Sequence, residues 1–488
     1  MPSTEDMPDK AMANAGKESK NATPANYNKY ELNFFRQKEF QGKRLLVTMT
    51  GAYDILTNEE HELLMSHRLT PELYERFRRK ALIITKDNMD EVVERYRCKK
   101  ALLDQGATLH IVVPTLRCNE NCVYCHALSR PLDAAGFDMD SKTARRTVDF
   151  IFQTPAKGIT IEFQGGEPLL AFERVKEIVE YARLKNEEAK KELKFTVVTN
   201  LSLMDEERLE FFAKNRVDIC TSLDGPKWLH DKNRPMAGGS SYEQVSHWLG
   251  EMRKRKIAIN ALLSMTRFSL PYAKEIVDEY RRQGFKAIWF RMMNNLGCAA
   301  NSWEVIGFTP EEFLKFWREG VDYVYKNTDM VENSTSLIVK KALGKEDPGM
   351  LDLMSPCGAA IGQIAYNYDG NIYTCDEARM IKDEMFRLGN VNTDKYRDIM
   401  ASPKVCSLIE ASVNECFFCD TCLYQPYCGL CPVSTYAQTS TLVPNLPDFR
   451  CKVLMGEFEH VFEMLTEPVM REKIKRRYPE LFKEEKSG

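Results

Sequence analysis

Six strand-like segments alternate with helix-like segments between residues 109 and 295, and this alternation restricts the fold more than any other feature. The strand segments are rich in Val, Ile and Thr, and the helices between them have roughly 10–15 residues, a pattern typical of parallel sheets. We therefore predict an α/β fold, a partial (β/α)6 TIM-like barrel over residues 106–300, with its site at the carboxyl ends of the strands. The predicted strands are 109–116, 159–164, 195–199, 217–222, 257–264 and 287–292, and the predicted helices include 141–153, 171–185, 206–215, 242–256 and 271–283.

Three cysteines follow the first predicted strand at Cys-x3-Cys-x2-Cys spacing, namely Cys118, Cys122 and Cys125, with Tyr124 before the third. A short loop of this kind can hold one face of a four-iron cluster. Three protein ligands leave one iron open to a substrate or cofactor. A structural zinc site or buried thiols are the alternatives at this point.

Polar residues also end the next three strands. The second strand ends in Gly165-Gly166-Glu167, where the glycines let the backbone approach a ligand and the carboxylate can accept an ammonium group. The third strand ends near Asn200 and the fourth at Ser222. These side chains are expected beside the cysteine loop, because parallel strands end at one edge.

The cysteine loop followed one strand later by Gly-Gly-Glu resembles the radical S-adenosylmethionine (SAM) enzymes. The resemblance implies a SAM-binding 4Fe–4S cluster on the three cysteines. It also implies that Gly165, Gly166 and Glu167 hold the methionine amino group, with Ser222 on the ribose and Arg234 on the carboxylate. Tyr124, Asn200 and Arg291 complete the predicted SAM site, although Arg291 is equally well explained as a structural ion pair.

A second cysteine-rich region lies within residues 353–455. Asp369-Gly370 predicts a hairpin turn between two strands, so that Cys375 leaves a hairpin at a fixed place. A zinc ribbon is the main alternative for the two Cys-x2-Cys pairs, but eight thiols without a companion histidine favour two iron–sulfur clusters. The eight cysteines are Cys357, Cys375, Cys416, Cys419, Cys422, Cys428, Cys431 and Cys451.

This spacing resembles the SPASM extension of peptide-modifying radical SAM enzymes. The resemblance assigns Cys419, Cys422, Cys428 and Cys451 to one auxiliary cluster. It assigns Cys357, Cys375 and Cys431 to the other, with Cys416 as a possible fourth ligand there. Two departures matter: the last spacing of the central run is one residue short, and Cys416 is an additional thiol.

Residues 29–105 form a small N-terminal unit, with a predicted strand pair around residues 43–53, helices at about 57–66 and 71–79, and a strand at 81–84. This winged-helix-like module resembles the leader-peptide recognition elements of ribosomal-peptide maturases, which bind a peptide by adding a strand to a sheet. A packing appendage without a ligand is the alternative.

The other segments are assigned from their composition. Residues 1–28 are expected to be a disordered tail, 301–352 a helical bridge and 456–488 a C-terminal helix. In the bridge, the aromatic residues Trp303, Phe313, Phe316 and Trp317 are expected to pack in the core.

The bulk composition limits the location and the partners. A formal net charge of −3 over 488 residues gives no electrostatic case for nucleic acid or an anionic membrane. Without a signal peptide or a long apolar run we expect a cytoplasmic protein. Of the 15 cysteines, Cys98, Cys220, Cys298 and Cys406 stand alone and are expected to be small core residues.

The resemblance spans roughly residues 109–455 and implies a maturase that oxidatively modifies, and in our interpretation crosslinks, residues of a ribosomally synthesised peptide. The His-Xaa-Ser system maturases are the most similar type. The implied partners are the precursor peptide and a reducing donor such as flavodoxin or ferredoxin. A sulfatase maturase that makes formylglycine, with Asp376 as its base, is the alternative, although an aspartate after a strand is also a common turn residue. A non-catalytic iron–sulfur carrier or scaffold is a remote alternative.

Overall fold

The computed structural model describes residues 29–486 except 104, 126, 382, 415, 445 and 446, and it describes no side chains for 484–486. The predicted tail of residues 1–28 and His126 of the cysteine loop lie outside the described residues. In the part of the chain that is described, no helix has the length and apolar character needed to cross a bilayer.

The N-terminal module is built on a three-stranded antiparallel sheet of order β2–β3–β4, beside a short β1–β5 pair. Thr57 begins the first helix with a capping box, accepting from the amide of Glu60 while the Glu60 carboxylate accepts from Thr57 N. The predicted strands and helices are confirmed, whereas membership of the winged-helix class stays a prediction. The elements are β1 (Glu31–Leu32), β2 (Phe35–Phe40), β3 (Lys43–Thr48), β4 (Tyr53–Leu56), α1 (Asn58–Met65), α2 (Pro71–Arg79), β5 (Ile83–Ile84) and α3 (Met89–Lys100).

The barrel follows, and six of its strands are parallel neighbours in chain order. The predicted strand 287–292 is divided, because Ala287–Ile288 lies outside this sheet and pairs with Val331–Glu332. All five predicted helices are present between them, within a few residues of the predicted bounds. The elements are β6 (Leu109–Val112), α4 (Ser141–Ile151), β7 (Gly158–Phe163), α5 (Phe172–Ala189), β8 (Glu192–Val198), α6 (Glu206–Lys214), β9 (Val217–Ser222), α7 (Lys227–Asn233), α8 (Ser241–Lys254), β10 (Ile259–Ser264), α9 (Ala273–Arg282), β11 (Ala287–Ile288) and β12 (Phe290–Arg291). The partial (β/α)6 arrangement agrees with this sheet.

The two faces of the barrel sheet differ. On β7, Ile159, Ile161 and Phe163 are buried against the surrounding helices, whereas the alternate residues, including Glu162, are partly accessible. Strand residues alternate between faces, so apolar residues fill the layer between sheet and helices. The other face of the sheet is left more polar and partly accessible at this strand.

A helical bridge joins the barrel to the second cysteine region, as predicted for residues 301–352. Phe313, Phe316 and Trp317 are fully buried on one helix, and Trp303 is partly buried against the same core. The elements are α10 (Cys298–Asn301), α11 (Trp303–Ile306), α12 (Pro310–Asn327), β13 (Val331–Glu332) and α13 (Asn333–Leu343).

The cysteine-rich region extends the barrel sheet. Its first strand pairs in parallel with β6 and then turns through Asp369-Gly370 into an antiparallel partner, which confirms the predicted hairpin. Gly370 has φ +82°, a conformation that glycine adopts without strain. The elements are β14 (Gln363–Tyr366), β15 (Asn371–Tyr373), β16 (Arg387–Asn390), α14 (Tyr396–Met400), α15 (Pro403–Glu410), α16 (Phe417–Asp420), α17 (Pro432–Thr439), α18 (Phe449–Thr466) and α19 (Pro468–Arg477). Short 3₁₀ turns lie at Pro168–Ala171, Arg267–Ser269, Leu351–Leu353, Glu377–Met380, Gln425–Tyr427 and Pro479–Lys486.

The C-terminal segment differs from its predicted bounds. Instead of beginning near residue 456, α18 begins at Phe449, because the Asp448 side chain accepts from the amide of Cys451 and caps the helix. Cys451 therefore lies in the first helical turn.

Candidate functional site

The three-cysteine loop lies after β6, and backbone hydrogen bonds hold it on several sides. Cys118 N donates to Arg130 O at 2.9 Å, and Val123 N donates to Asn233 O at 2.9 Å. Cys298 N, from the segment after β12, donates to Cys125 O at 2.9 Å. The loop is therefore fixed by its own return segment and by segments that follow the fourth and sixth strands.

The Gly-Gly-Glu segment lies directly against this loop. Gly166 N donates to Thr115 O at 3.0 Å, and Glu167 N donates to Arg117 O at 2.8 Å. A Cβ on Gly166 would lie 2.1 Å from the Arg117 carbonyl oxygen, and Gly165 has φ +137°. The glycines thus allow two backbones to meet, in addition to any approach to a ligand.

Glu167 is buried and ties strand ends together. Its carboxylate accepts from Thr199 Oγ1 at 2.7 Å, from Asn200 N at 2.8 Å and from Leu169 N at 3.0 Å. Burial raises the pKa of Glu167 to about 7, although these hydrogen bonds oppose the shift. Each carboxylate oxygen has two lone pairs, so an ammonium group could still be accepted.

Asn200 joins this framework to the cysteine loop. Its Nδ2 donates to Asn119 Oδ1 at 3.1 Å, and Asn119 Nδ2 donates to Ser202 Oγ at 2.6 Å. Ser222 ends β9, on the same polar face as Cys220. The structure thus places Glu167 and Asn200 against the loop, and Ser222 at the end of the next strand.

A buried ionic network lies behind the cysteine loop, and its two carboxylates were not among the predicted site residues. Arg234 Nε donates to Asp224 at 3.1 Å, and its Nη1 lies 3.5 Å from Glu120 and 3.6 Å from Cys122 Sγ. Tyr124 donates to Asp224 at 2.6 Å, with the guanidinium 5.2 Å from its ring centre. The second oxygen of Glu120 is buried without a hydrogen-bond partner among the described residues.

This network changes what Arg234 and Tyr124 can do. Two of the three guanidinium nitrogens already point to protein acceptors, so a SAM carboxylate would have to use the remaining donors. The aspartate of Ser222-Leu223-Asp224-Gly225-Pro226 was available in the sequence. Its burial and its pairing with an arginine ten residues later were not.

The inner face of the barrel holds further polar groups. Burial raises the pKa of Glu162 on β7, and Gln164 donates to that carboxylate at 2.6 Å. Burial also raises the pKa of the Cys220 thiol on β9 to about 12. The nearby Asp376 carboxylate also raises the pKa of Glu162, whereas the Arg291 cation lowers it.

Two of these residues have nearby partners. Arg291 forms an ion pair with Asp352, whose carboxylate lies 3.8 Å away, and it stacks on Trp289. It also borders a cavity. Asp376 accepts from Arg379 Nε at 2.7 Å, and Arg379 also donates to Ala127 O beside the cysteine loop. If Asp376 is a base, its carboxylate would have to accept a proton while it is paired with the Arg379 guanidinium.

The eight remaining cysteines form two groups. The first auxiliary group lines a cavity of about 340 Å³ beside α18, and Cys431 of the second group lines the same cavity. Cys416 is the exception in the first group, with its Sγ 3.2 Å from Cys419 Sγ. This group comprises Cys416, Cys419, Cys422, Cys428 and Cys451. The second auxiliary group comprises Cys357, Cys375 and Cys431, whose thiols act electrostatically on one another.

The position of Cys416 differs from the expected one. Cys416 was predicted to be a possible fourth ligand of the second auxiliary group, but its Sγ lies beside Cys419 of the first group. The reason is local: α16 begins immediately after Cys416, so one short turn presents Cys416 and Cys419 on the same side.

The donor set fits iron–sulfur clusters. All eight side chains are thiols, which are the usual ligands of such clusters. Five of them line one cavity of about 340 Å³. Four thiols can also hold a zinc ion, so a zinc ribbon stays the alternative.

The lone cysteines are not the core residues expected. Cys406 is exposed on α15, and Cys98, Cys220 and Cys298 are only partly buried. A hydrogen bond to Cys125 raises the pKa of the Cys298 thiol, which places Cys298 beside the cysteine loop. Cys125 and Cys298 are far apart in the sequence, so the spacing of the cysteines did not predict this contact.

Comparison with known families assigns both cysteine regions. Residues 112–266 match the model of the Radical SAM superfamily. Residues 357–423 match that of SPASM, an iron–sulfur cluster-binding domain.

Two curated relatives are similar over much of the chain. The cysteine-type anaerobic sulfatase-maturating enzyme of Clostridium perfringens (strain 13) is 25% identical over 366 residues, 71% of this chain and 94% of that protein. The subtilosin biosynthesis protein AlbA of Bacillus subtilis is 25% identical over 323 residues, 65% of each chain.

Two solved structures have a similar fold. The enzyme anSMEcpe with bound AdoMet, which is SAM, has a TM-score of 0.62 at 20% identity and covers 74% of this chain and 99% of its own. Streptococcus suis SuiB bound to its precursor peptide SuiA has a TM-score of 0.51 at 14% identity, over 84% and 97%.

Proposed function

We propose that this chain, which contains a radical SAM domain followed by a SPASM iron–sulfur domain, oxidatively modifies a ribosomally synthesised peptide, most simply by crosslinking two of its residues. The enzyme class and the cofactors, 4Fe–4S clusters and SAM, are as the sequence predicted. The peptide substrate, the bond formed, a donor such as flavodoxin or ferredoxin, and the cytoplasmic location are proposals.

The chain supplies the ligands and the pocket. Cys118, Cys122 and Cys125 would hold the SAM-binding cluster, because their loop is fixed on several sides and the Arg234 cation lies 3.6 Å from Cys122 Sγ. When bound, the cluster and SAM supply a 5′-deoxyadenosyl radical that removes a hydrogen atom from the substrate. The framework of Glu167 and Asn200 would fix SAM at the open end of the barrel.

The auxiliary thiols would hold clusters at the other side of this opening. Cys375 leaves the β14–β15 hairpin there, and Arg379 links Asp376 to the Ala127 carbonyl of the cysteine loop. The two thiol regions are therefore joined directly at the opening. A substrate residue entering there would be screened from water by both domains.

The observation that favours a peptide maturase is the N-terminal module. Helix α3 presents Met89, Val93 and Tyr96, all exposed and at i, i+4 and i+7 on one face. The module also docks on the cysteine-rich region, where Tyr427 Oη donates to Gly51 O at 2.7 Å. SuiB, whose structure contains its precursor peptide SuiA, and AlbA, a bacteriocin biosynthesis protein, are similar to this chain.

The test separates peptide binding from radical formation. We would select peptides from a displayed random library with the anaerobically reconstituted enzyme, and measure their affinity for a Val93→Asp/Tyr96→Ser variant. We expect at least tenfold weaker binding and unchanged uncoupled SAM cleavage. Met65→Ser, an exposed apolar residue on α1, is the matched control. Unchanged peptide affinity in the α3 variant would rule out the leader-binding role and favour the alternative of a packing appendage.

A sulfatase-maturase activity is the second candidate. Two observations favour it: the 25% identity to the C. perfringens enzyme, and Asp376 directly after Cys375 at the barrel opening. A cysteine-containing sulfatase peptide would then gain an aldehyde oxygen and lose its sulfur, whereas a crosslinked peptide loses only two hydrogens. If Asp376 is the base, Asp376→Asn should still cleave SAM but form no product. Normal turnover by that variant would rule the role out.

A further inference from the structure

We propose that Arg450 is a positioning residue that holds an auxiliary cluster electrostatically, at the cavity that it lines, and raises the reduction potential of that cluster. The proposal requires the auxiliary clusters, but it is independent of the peptide substrate.

Arg450 lies between the two auxiliary groups. It is the second residue of α18, directly before Cys451 of the first group, and only 8% of it is exposed. Its side chain lines the thiol cavity and also a second cavity that Arg291 and Asp352 border. It is therefore a cation placed at the boundary between the cluster sites and the barrel opening.

The guanidinium is incompletely satisfied by the protein. Its Nη2 donates to Asp352 O at 3.1 Å, but its Nε is buried and has no hydrogen-bond partner in the described part of the chain. Burying an arginine with an unused N–H is costly unless an anion lies nearby. An unused donor on the wall of a thiol cavity indicates an acceptor there, and cluster and thiolate sulfurs are such acceptors.

The cavity that Arg450 lines contains thiols of both auxiliary groups. Cys431 of the second group lines it together with four thiols of the first, Cys419, Cys422, Cys428 and Cys451. Burial tends to lower the pKa of Arg450, but nearby carboxylates and thiols, Asp352 first among them, raise it well above its usual value. Arg450 is therefore a buried cation among cluster thiols.

A cation at this position has a defined effect on a cluster. Reduction adds one electron, and therefore one negative charge, to the cluster and its thiolates. A nearby positive charge and N–H···S hydrogen bonds favour the reduced form, and both are known determinants of cluster potential. Arg450 should therefore make the auxiliary cluster at its cavity easier to reduce.

The experiment is a redox titration followed by electron paramagnetic resonance. The full-length chain with Cys118, Cys122 and Cys125 replaced by Ala would be reconstituted anaerobically, so that only the auxiliary signals remain. Arg450→Gln and Arg450→Met remove the charge with different packing, and Arg450→Lys keeps it. Arg318→Gln, whose arginine pairs with Glu463 farther along α18, is the matched control.

We expect one auxiliary signal to become about tenfold harder to reduce in the neutral variants, equivalent to about 59 mV for a one-electron couple. Arg450→Lys should recover most of that difference, and Arg318→Gln should show none. A neutral variant that loads iron and keeps the wild-type midpoint would overturn the proposal. So would a lysine variant as shifted as the neutral ones.

Iron content resolves the remaining outcomes. If both neutral variants lack one auxiliary cluster but Arg450→Lys loads it, the charge is required for assembly, which supports the proposal. If no variant loads it, including Arg450→Lys, the role is packing and the proposal fails. About four irons in the unaltered enzyme, instead of about twelve, would refute the auxiliary clusters themselves.

Discussion

The two cysteine regions are constructed on different principles. The loop of Cys118, Cys122 and Cys125 is held by backbone hydrogen bonds and by the buried network of Arg234, Asp224 and Glu120. Several auxiliary thiols instead lie on short helices and turns, such as the four-residue α16, and five of the eight line a cavity of about 340 Å³. The first site is organised by protein contacts, and the second has thiols where a core would contain apolar side chains.

This difference predicts different dependence on metal. Where hydrogen bonds and ion pairs position the ligands, the site exists before the cluster binds. Where thiols surround a cavity, the free energy of metal binding becomes folding free energy. The barrel should therefore tolerate loss of its cluster better than the cysteine-rich region tolerates loss of its own.

The largest effect is expected from Cys122→Ala. With two thiolates the loop cannot keep a cluster with one open iron, so SAM cleavage should fall to background, measured as 5′-deoxyadenosine. Iron should fall by about four per chain while the auxiliary clusters stay. Cys406→Ala, at an exposed thiol, should change neither. Retained cleavage would refute the assigned cluster site.

A local loss of structure is expected from Cys431→Ala. The second auxiliary group has three thiols and no spare one, so its cluster should be lost. Hydrogen-exchange protection of β15 and β16 should fall about a hundredfold, while β7 to β9 stay protected. Equal loss of hydrogen-exchange protection in both regions would show that the two regions do not differ in their dependence on metal. Cys406→Ala again serves as the control.

The barrel network gives the next largest effect. Asp224→Asn removes the carboxylate that accepts from Arg234 and Tyr124, and so leaves a buried cation without its main partner. We expect a loss of about 3–5 kcal/mol in unfolding free energy, measured with denaturant. Asp218→Asn, exposed on the same strand, should change stability by less than about 0.5 kcal/mol. An equal effect of both variants would show that the network is not what stabilises the loop.

The smallest effect concerns the seam between the two regions. His110 on β6 is fully buried and lies 3.0 Å from Tyr366 Oη on β14 and 3.1 Å from Ala107 O. Burial lowers the pKa of His110 to about 3, so the folded state keeps it neutral while the unfolded chain protonates near 6.5. Stability from this group is complete above pH 6.5 and is lost as pH falls towards 3.

At pH 5 the loss from His110 should reach about 2 kcal/mol relative to pH 7. His110→Gln should remove this part of the acid sensitivity, whatever its stability at pH 7, when unfolding is followed at several pH values. His247→Gln, at an exposed histidine, should keep it. An unchanged acid slope in His110→Gln would contradict the assignment.

Local patterns predicted much of the fold. Alternation of apolar strands and helices gave the barrel, because parallel strands need helical crossovers whatever their surroundings. The Asp369-Gly370 turn gave the hairpin for an equally local reason. The thiol spacings likewise indicated both cysteine regions, since neighbouring ligands in a loop share one site.

Contacts between distant segments decided the rest. Asp224 and Glu120 became part of the site only because the chain brings strand four beside the cysteine loop. Cys298 lies against Cys125 for a similar reason.

Arg450 shows the same limit most clearly. The sequence alone determined which elements form and which thiols can bind a cluster, because these depend on spacing within one segment. Only the tertiary structure decided which buried charges face those thiols, because burial and pairing depend on segments that are far apart in the chain.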